Sequence, residues 1–454
     1  MNIKVAKFGG SSVADSIQII KTRDIILQDE GRNFIVVSAP GKRYDGDNKM
    51  ADLLYLCKTH MDHNLPWEQL FEVIVDRYVA VAHKLGVDGV LDEHFEIIRQ
   101  KINEGSSTDY IVSRGEYLNA VMIAAYLGYD FVDSAGLILF DDKGKLLHDA
   151  TDAALSEELS KHKTAVIPGF YGSEKGSTRI RTFSRGGSDI TGALVAKAIE
   201  ASVYENWTDV SGFLMADPRI VENPKPIDSI SYKELRELSY MGASVLHEDA
   251  IYPARVANIP INIRNTNVPK DKGTFITAHH DPSSNRIITG IAGSKDFTVI
   301  ALYKNMMSTG RGFVRRLLSI LEDLDVNFEH LPSGIDTMSV VLSNASLGDK
   351  LDEVISQIKI QLEPDNIEVF QNIALIATVG QGMTSNIGVS ARLFTALAEA
   401  DINVRMIDQG SSEMNIIIGV ENNQMGDAIR AIYGAFEDEE IRYIKVVLHE
   451  DTYN

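Results

Sequence analysis

The feature that most constrains the fold of this chain is an internal repeat in its C-terminal third. Adding 76 to a position lands on its counterpart: Met307 on Met383, Gly312 on Gly388, Leu317 on Leu393, Asn327 on Asn403, Gly334 on Gly410 and Met338 on Met414, without a gap. Coincidental likeness leaves scattered matches, whereas an unbroken register with both glycines aligned implies a duplicated supersecondary unit. Each copy reads strand, helix, strand, strand, helix, strand. In the second copy the segments are 373–379, 389–400, 403–407, 415–420, 425–436 and 443–448. That order is the split βαβ, ferredoxin-like arrangement, so two α+β units are expected, at 296–370 and 371–450. The arrangement hosts many functions and assigns none by itself.

Residues 1–290 have a different texture. Short β-branched runs at 3–8, 34–39, 164–167, 202–207 and 261–264 alternate with amphipathic stretches at 15–28, 70–85, 116–127 and 189–200. Strands interleaved with helices predict a three-layer α/β domain around a largely parallel sheet. Ligands of such a sheet bind at the carboxyl ends of its strands. The segment 285–295, with Gly290 and Gly293, marks the change to the repeat.

Composition excludes several function classes. The 454-residue chain is long enough for several cores. Its net charge of −20 has the wrong sign for a non-specific grip on nucleic acid, and an anionic substrate would need a local positive island. Cys57 is the only cysteine, which excludes an internal disulfide and fits a reducing, cytoplasmic setting. Cys57, His60 and His63 stand at i, i+3 and i+6, but without a carboxylate-rich context they read as surface-helix residues, and no metal site is expected. No export signal is expected at the amino terminus. The apolar runs fall short of the ~20 residues a bilayer crossing needs.

Four loops could carry chemistry. Lys7-Phe8-Gly9-Gly10-Ser11-Ser12 closes the first strand and opens a helix, so its amides could approach an anion and Lys7 could reach phosphates; an ordinary capped turn reads the same way. Phe183-Ser184-Arg185-Gly186-Gly187-Ser188-Asp189 offers Ser188 as an N-cap and Asp189 as a first-turn acid. Capping leaves Arg185 unexplained, and a guanidinium suits an α-carboxylate, with Asp189 free to hold an ammonium group. Ser113-Arg114-Gly115-Glu116 reads as a third helix start, where Glu116 is either a dipole partner or an amino-group ligand. The run 207–219, beginning Trp207-Thr208-Asp209, follows a strand and is rich in turn formers. It is either a structural loop or a nucleotide contact.

In this order the motifs resemble the aspartate kinases. The KFGGSS start, SRGE, the GFYGS and FSRGGSD pair, TDVSGFLMADPR, GASVLH and the tail from Gly388 to Arg392 and Met406 to Glu413 all match, over nearly the whole chain. The resemblance implies a three-layer, carbamate kinase-like catalytic domain at 1–290 followed by two ACT regulatory domains. It implies transfer of the γ-phosphoryl of ATP to the side-chain carboxylate of L-aspartate, with Mg²⁺ carried mainly on ATP and no dedicated metal ligands in the protein. Lys7 would contact the transferring group and Gly9, Gly10 and Ser11 would line the phosphate loop. Arg185 would bind the α-carboxylate, and Glu116 and Asp189 the amino group. Ser188 would lie beside the phosphates, Phe170 against the substrate, and Thr208 and Asp209 by the nucleotide. Ser244, Glu248 and Ala51 depart from the common pattern. The tail implies an amino-acid effector, lysine foremost, held near Met307, Ser308, Gly312, Ser333 and Asp336 in a homo-oligomer joined through the ACT domains.

Overall fold

The computed structural model describes residues 3–184, 186–242, 248–279 and 286–437. The chain divides into two compact units. One comprises Met1–Phe213, Pro226–Tyr232 and Val245–Asp281, and the other Leu214–Lys225, Lys233–Ser244 and Pro282–Asn454.

Strands β1 (Lys4–Phe8), β2 (Arg32–Val37), β3 (Asp130–Phe131), β4 (Leu139–Phe140), β5 (Ala165–Pro168) and β6 (Tyr171–Glu174) open the first unit. It continues with β7 (Ile180–Thr182), β8 (Val203–Thr208), β9 (Ser229–Ser231), β10 (Ile261–Asn265) and β11 (Thr274–Thr277). Eight of them form one sheet in the order β3-β5-β2-β1-β8-β10-β11-β9. All its pairings are parallel except β10 with β11. The runs Phe-Ile-Val-Val in β2 and Ala-Val-Ile in β5 are buried, as strands covered by helices on both faces must be. The helix Gly187–Ala198 packs on β1, β2 and β8. Phe8 and Trp207 point the other way, into a core with Ile19, Leu54 and Leu118.

Two charges are sealed inside this core. Arg32 Nε donates to Glu205 Oε2 at 2.7 Å, the indole N–H of Trp207 donates to the same oxygen at 2.8 Å, and the guanidinium lies 5.2 Å from the Trp207 ring. Such a pair is tolerated because each lone pair and proton finds a partner.

The second unit is built on β12 (Gly290–Tyr303), β13 (Phe328–His330), β14 (Thr337–Ser343), β15 (Asn366–Val379), β16 (Met406–Asp408) and β17 (Asn415–Glu421). They form one antiparallel sheet, in the order β13-β14-β12-β15-β17-β16. The first copy has the expected ferredoxin-like order, its fourth strand beside its first. The two copies nevertheless share a ribbon. β12 and β15, 14 residues each, pair from one end to the other across two irregularities. Beside Leu375–Val379 runs Gly290–Ser294, which precedes the first copy; the expected last strand, 443–448, lies outside the described residues. Gly290 and Gly293 are thus strand residues of this unit. A Cβ on Gly293 would sit 3.0 Å from Ile429 Cδ1, so glycine there admits the helix Met425–Glu437 onto the strand.

Both tryptophans, Trp67 and Trp207, lie in the first unit, so their fluorescence reports its unfolding. Arg32→Ala leaves the buried Glu205 carboxylate only the Trp207 N–H and Lys4 Nζ, 3.8 Å away, and should lower the unfolding free energy by about 3 kcal/mol in urea titrations. Arg32→Met with Glu205→Gln, which keeps an acceptor for Trp207, should recover part of that loss; no recovery would show that packing, not charge, was lost.

Candidate active site

Because β1, β2, β5 and β8 are parallel, their carboxyl ends lie side by side, and the hydrogen-bond ladder continues into the loops they feed. Gly9 N donates to Trp207 O at 3.0 Å, Ser38 N to Phe8 O at 3.1 Å, and Gly169 N to Val37 O at 2.9 Å. The Gly-Gly loop, the 38–41 segment, Phe170 and Thr208 therefore share one rim of the sheet.

At that rim Lys7 Nζ lies 2.6 Å from Asp189 Oδ1, with Lys7 only 7% exposed. Asp189 sits in the first turn of the helix Gly187–Ala198. Asn206 Nδ2 donates to the same Asp189 oxygen at 2.8 Å. Asn206 was not among the sequence candidates. Strand alternation could have found it, because Lys7 and Asn206 are register partners on β1 and β8 and share a face. Ser188 does not cap this helix: the N-cap is Gly186, in the left-handed conformation at φ 58°, and Ser188 is buried in the first turn. A Cβ on Gly169 would lie 2.6 Å from Ser188, and one on Gly187 would lie 2.8 Å from Phe170, so glycines let the two loops touch. Phe170 itself is left-handed at φ 78°, a strain that marks functional loops. Arg185 lies outside the described residues.

The SRGE segment is not a helix start. The helix runs Thr108–Leu127, begun by Ser107, whose side chain accepts from Tyr110 N, and Glu116 falls in its interior. Gly115 does not break the helix, and the Ser107 cap, not the later Ser113, begins it. Gly115 brings this helix against the rim, since a Cβ there would be 2.8 Å from Ala39 Cβ. Glu116 is buried, and burial pushes its carboxyl up to about 7 even though a backbone hydrogen bond from Ala39 opposes the shift. Its Oε2 has no hydrogen-bond partner. A buried carboxyl with one oxygen unpartnered, beside a lysine-bearing rim, suits a cationic ligand group.

The remaining candidates flank this centre. Gly10 O accepts from Gly41 N at 2.9 Å, so the phosphate-loop candidate rests on the 40–50 stretch. Arg77 braces that stretch from below, donating to Asn48 O at 2.9 Å and to Gly41 O, and lying 3.5 Å from Asp47. Gly9 N–H is taken by Trp207, and Ser11 follows in the turn Gly10–Val13. Thr208 ends β8, its hydroxyl donating to Asp209 Oδ1 at 3.1 Å. Ser244 lies outside the described residues, as does the Glu248 side chain, and Ala51 is the second residue of the helix Met50–Asp62. Cys57 of that helix is a core residue, not a surface one, and burial raises its thiol to about 11. Among the described residues no three His, Cys, Asp or Glu side chains cluster as a cation cage, and no helix is long and apolar enough to cross a membrane.

In the second unit, Met307 N donates to Asp336 Oδ1 at 3.2 Å, joining two of the effector candidates. Ser308 lies in the turn Met307–Thr309, Gly312 caps the helix Phe313–Asp323 at φ 79°, and Ser333 bridges to Met338.

Residues 2–265 match the model of the amino acid kinase family, and residues 376–436 that of the ACT domain. The chain is 38% identical to aspartokinase 3 of Bacillus subtilis, over 96% of this chain and 98% of that one. The structure resembles the aspartate kinase of Clostridium acetobutylicum at a TM-score of 0.88 and 49% identity, covering 96% of this chain and all of that one. It also resembles E. coli aspartokinase III, crystallised with aspartate and ADP (TM-score 0.71, 26% identity, 95% of this chain and 99% of that one) and with lysine and aspartate (TM-score 0.72, 25% identity, 96% and 100%).

The raised carboxyl of Glu116 carries a pH signature. Its ordinary value is 4.5 and its folded value about 7, so between them the folded state holds a proton that the unfolded state has lost. Stability from this group therefore falls as pH rises through that window and is level above it. Glu116→Gln should remove the slope, so its stability advantage over the parent should widen from pH 5 to pH 7 in urea titrations. Parallel profiles would show that Glu116 ionises normally.

Proposed function

The chain belongs to the amino acid kinase family as an aspartate kinase, and on that premise we propose that Lys7, held by Asp189, and the Gly9-Gly10-Ser11 loop hold the transferring phosphoryl group of ATP while Glu116 takes the amino group of L-aspartate. The observation that carries the assignment is the Lys7–Asp189 contact on a glycine loop at the carboxyl ends of a parallel sheet. Ser188 and Phe170 line the acceptor side, Arg185 receives the α-carboxylate, and Thr208 and Asp209 support the nucleotide.

The side-chain carboxylate of aspartate is already ionised at neutral pH, so no general base is needed. One of its oxygens forms the new bond to the γ-phosphorus as the bond to the β,γ-bridging oxygen breaks, giving an acyl phosphate and ADP. The work left to the protein is to bring two anions into line and offset the charge on the equatorial oxygens. Lys7 supplies a fixed positive charge, and the loop amides supply donors. Glu116 enters with its Oε2 unpartnered, and an arriving ammonium group would favour its ionised form. Mg²⁺ held by the phosphate oxygens and water would neutralise further phosphate charge.

ADP release by the purified protein should depend on L-aspartate. Lys7→Ala should lower kcat by roughly 10²- to 10³-fold, the cost of one preorganised charge stabiliser, while Arg185→Ala should chiefly raise the KM for aspartate. An unchanged kcat in Lys7→Ala would remove that lysine from the transfer.

The second unit is read as the sensor. Catalysis needs none of its sheet, and the E. coli relative was crystallised with lysine. Lysine would bind near Met307, Ser308, Gly312, Ser333 and Asp336, in a cytoplasmic homo-oligomer assembled through ACT edge strands. Linkage then requires lysine and aspartate to weaken each other's binding reciprocally, provided inhibition acts through affinity. Calorimetry of lysine, threonine and methionine, with and without aspartate, should show this for lysine; binding by none of them leaves assembly as the unit's role.

A further inference from the structure

An ammonium group stabilises transferring oxygens only if it is held where their charge develops, and a lysine stem is flexible. Lys7 is held by Asp189, so the precision of the site passes to that carboxylate. Its main chain is fixed by Tyr204, whose hydroxyl donates to Asp189 O at 3.1 Å. That approach is open because residue 192 is glycine: a Cβ there would lie 2.5 Å from the Tyr204 oxygen. Its side chain is fixed by Asn206, 3% exposed, whose Nδ2 meets at 2.8 Å the same oxygen that Lys7 Nζ meets at 2.6 Å. Tyr204 and Asn206 are alternate residues of β8, so one strand face holds both the main chain and the side chain of Asp189.

We propose that Asn206 is a positioning residue for phosphoryl transfer, fixing the Asp189 carboxylate so that it aims Lys7 at the γ-phosphoryl group. A neutral amide suits this place. It orients the carboxylate without adding a second cation that would compete with Lys7 for the same oxygen. Asn206 acts through Asp189 and not on the reactants. The inference rests on the kinase reading of Lys7.

The test compares parent, Asn206→Leu, Asn206→Asp, Asp189→Asn and the Asp189→Asn, Asn206→Leu double variant by aspartate-dependent ADP release. Asn206→Leu should lower kcat roughly ten- to a hundredfold, the range for one hydrogen bond to a charged group, with both KM values within about twofold. Asn206→Asp, which keeps the shape but opposes two carboxylates, should lose at least as much. In the Asp189→Asn background Asn206→Leu should cost nothing further, which a merely structural role would not produce. A kcat for Asn206→Leu within about twofold of the parent, or fully additive losses in the double variant, overturns the proposal. If the parent itself releases no ADP with aspartate, the kinase reading fails, a different outcome from an active parent with an indifferent Asn206. Should Asn206→Leu prove unfolded by tryptophan fluorescence, Asn206→Ser, too short to reach Asp189, carries the same comparisons.

Discussion

The parallel pairing of β1 with β8 is the constraint on which the catalytic unit depends. Its register sets Lys7 opposite Asn206 and Phe8 opposite Trp207. Because side chains alternate, the first pair faces the helix carrying Asp189 and the second faces the apolar core. Site and core are thus two sides of the same two strands. A slip of one residue would turn Lys7 into the core and Phe8 towards Asp189, so burial of Phe8 and Trp207 enforces the placement of Lys7 beside Asp189. Glu205 and its partner Arg32 reinforce the same register from within.

Charge follows from this layout. The chain carries a net charge of −20, yet its substrates are anions. The rim answers with a lysine whose neutralising carboxylate lies to one side, on a helix start, and with a second carboxyl whose ionisation burial defers to about pH 7. Near neutrality, then, the rim is less negative than its count of acidic residues suggests. Placement in or out of water, more than composition, decides which of its acids repel an anion.

Much of this was legible in the sequence, because hydrophobic periodicity and glycine placement are local. The alternating strands and helices, the Gly9-Gly10 loop and the duplicated unit could all be read directly. What eluded sequence reasoning depends on partners distant along the chain. Glu116 passed for a first-turn acid because Ser113 and Gly115 offered a second start that looked as good as the Ser107 cap. Ser188 resembled a cap because the left-handed Gly186 before it is a conformation, not a residue type. Asn206 carried no motif, and its meaning comes from Lys7, a strand away in space and almost two hundred residues away in sequence. In the tail, periodicity gave the strands of each copy but could not say that β12 and β15 would run past their own copy into the next.

That shared ribbon bears on how such a module can be inherited or recombined. A duplication usually leaves two cassettes that can be separately lost, exchanged or fused to other proteins. Here the obvious junction between the copies, at 370 and 371, falls inside β15, and the stretch that flanks the second copy, Gly290–Ser294, is encoded ahead of the first. Deleting the first copy would carry off this flanking stretch or leave it on a tether of the wrong length, and deleting the second would strip half of β12 of its neighbour. Natural or engineered swaps between relatives should therefore succeed only when everything from Gly290 onward travels as a single block.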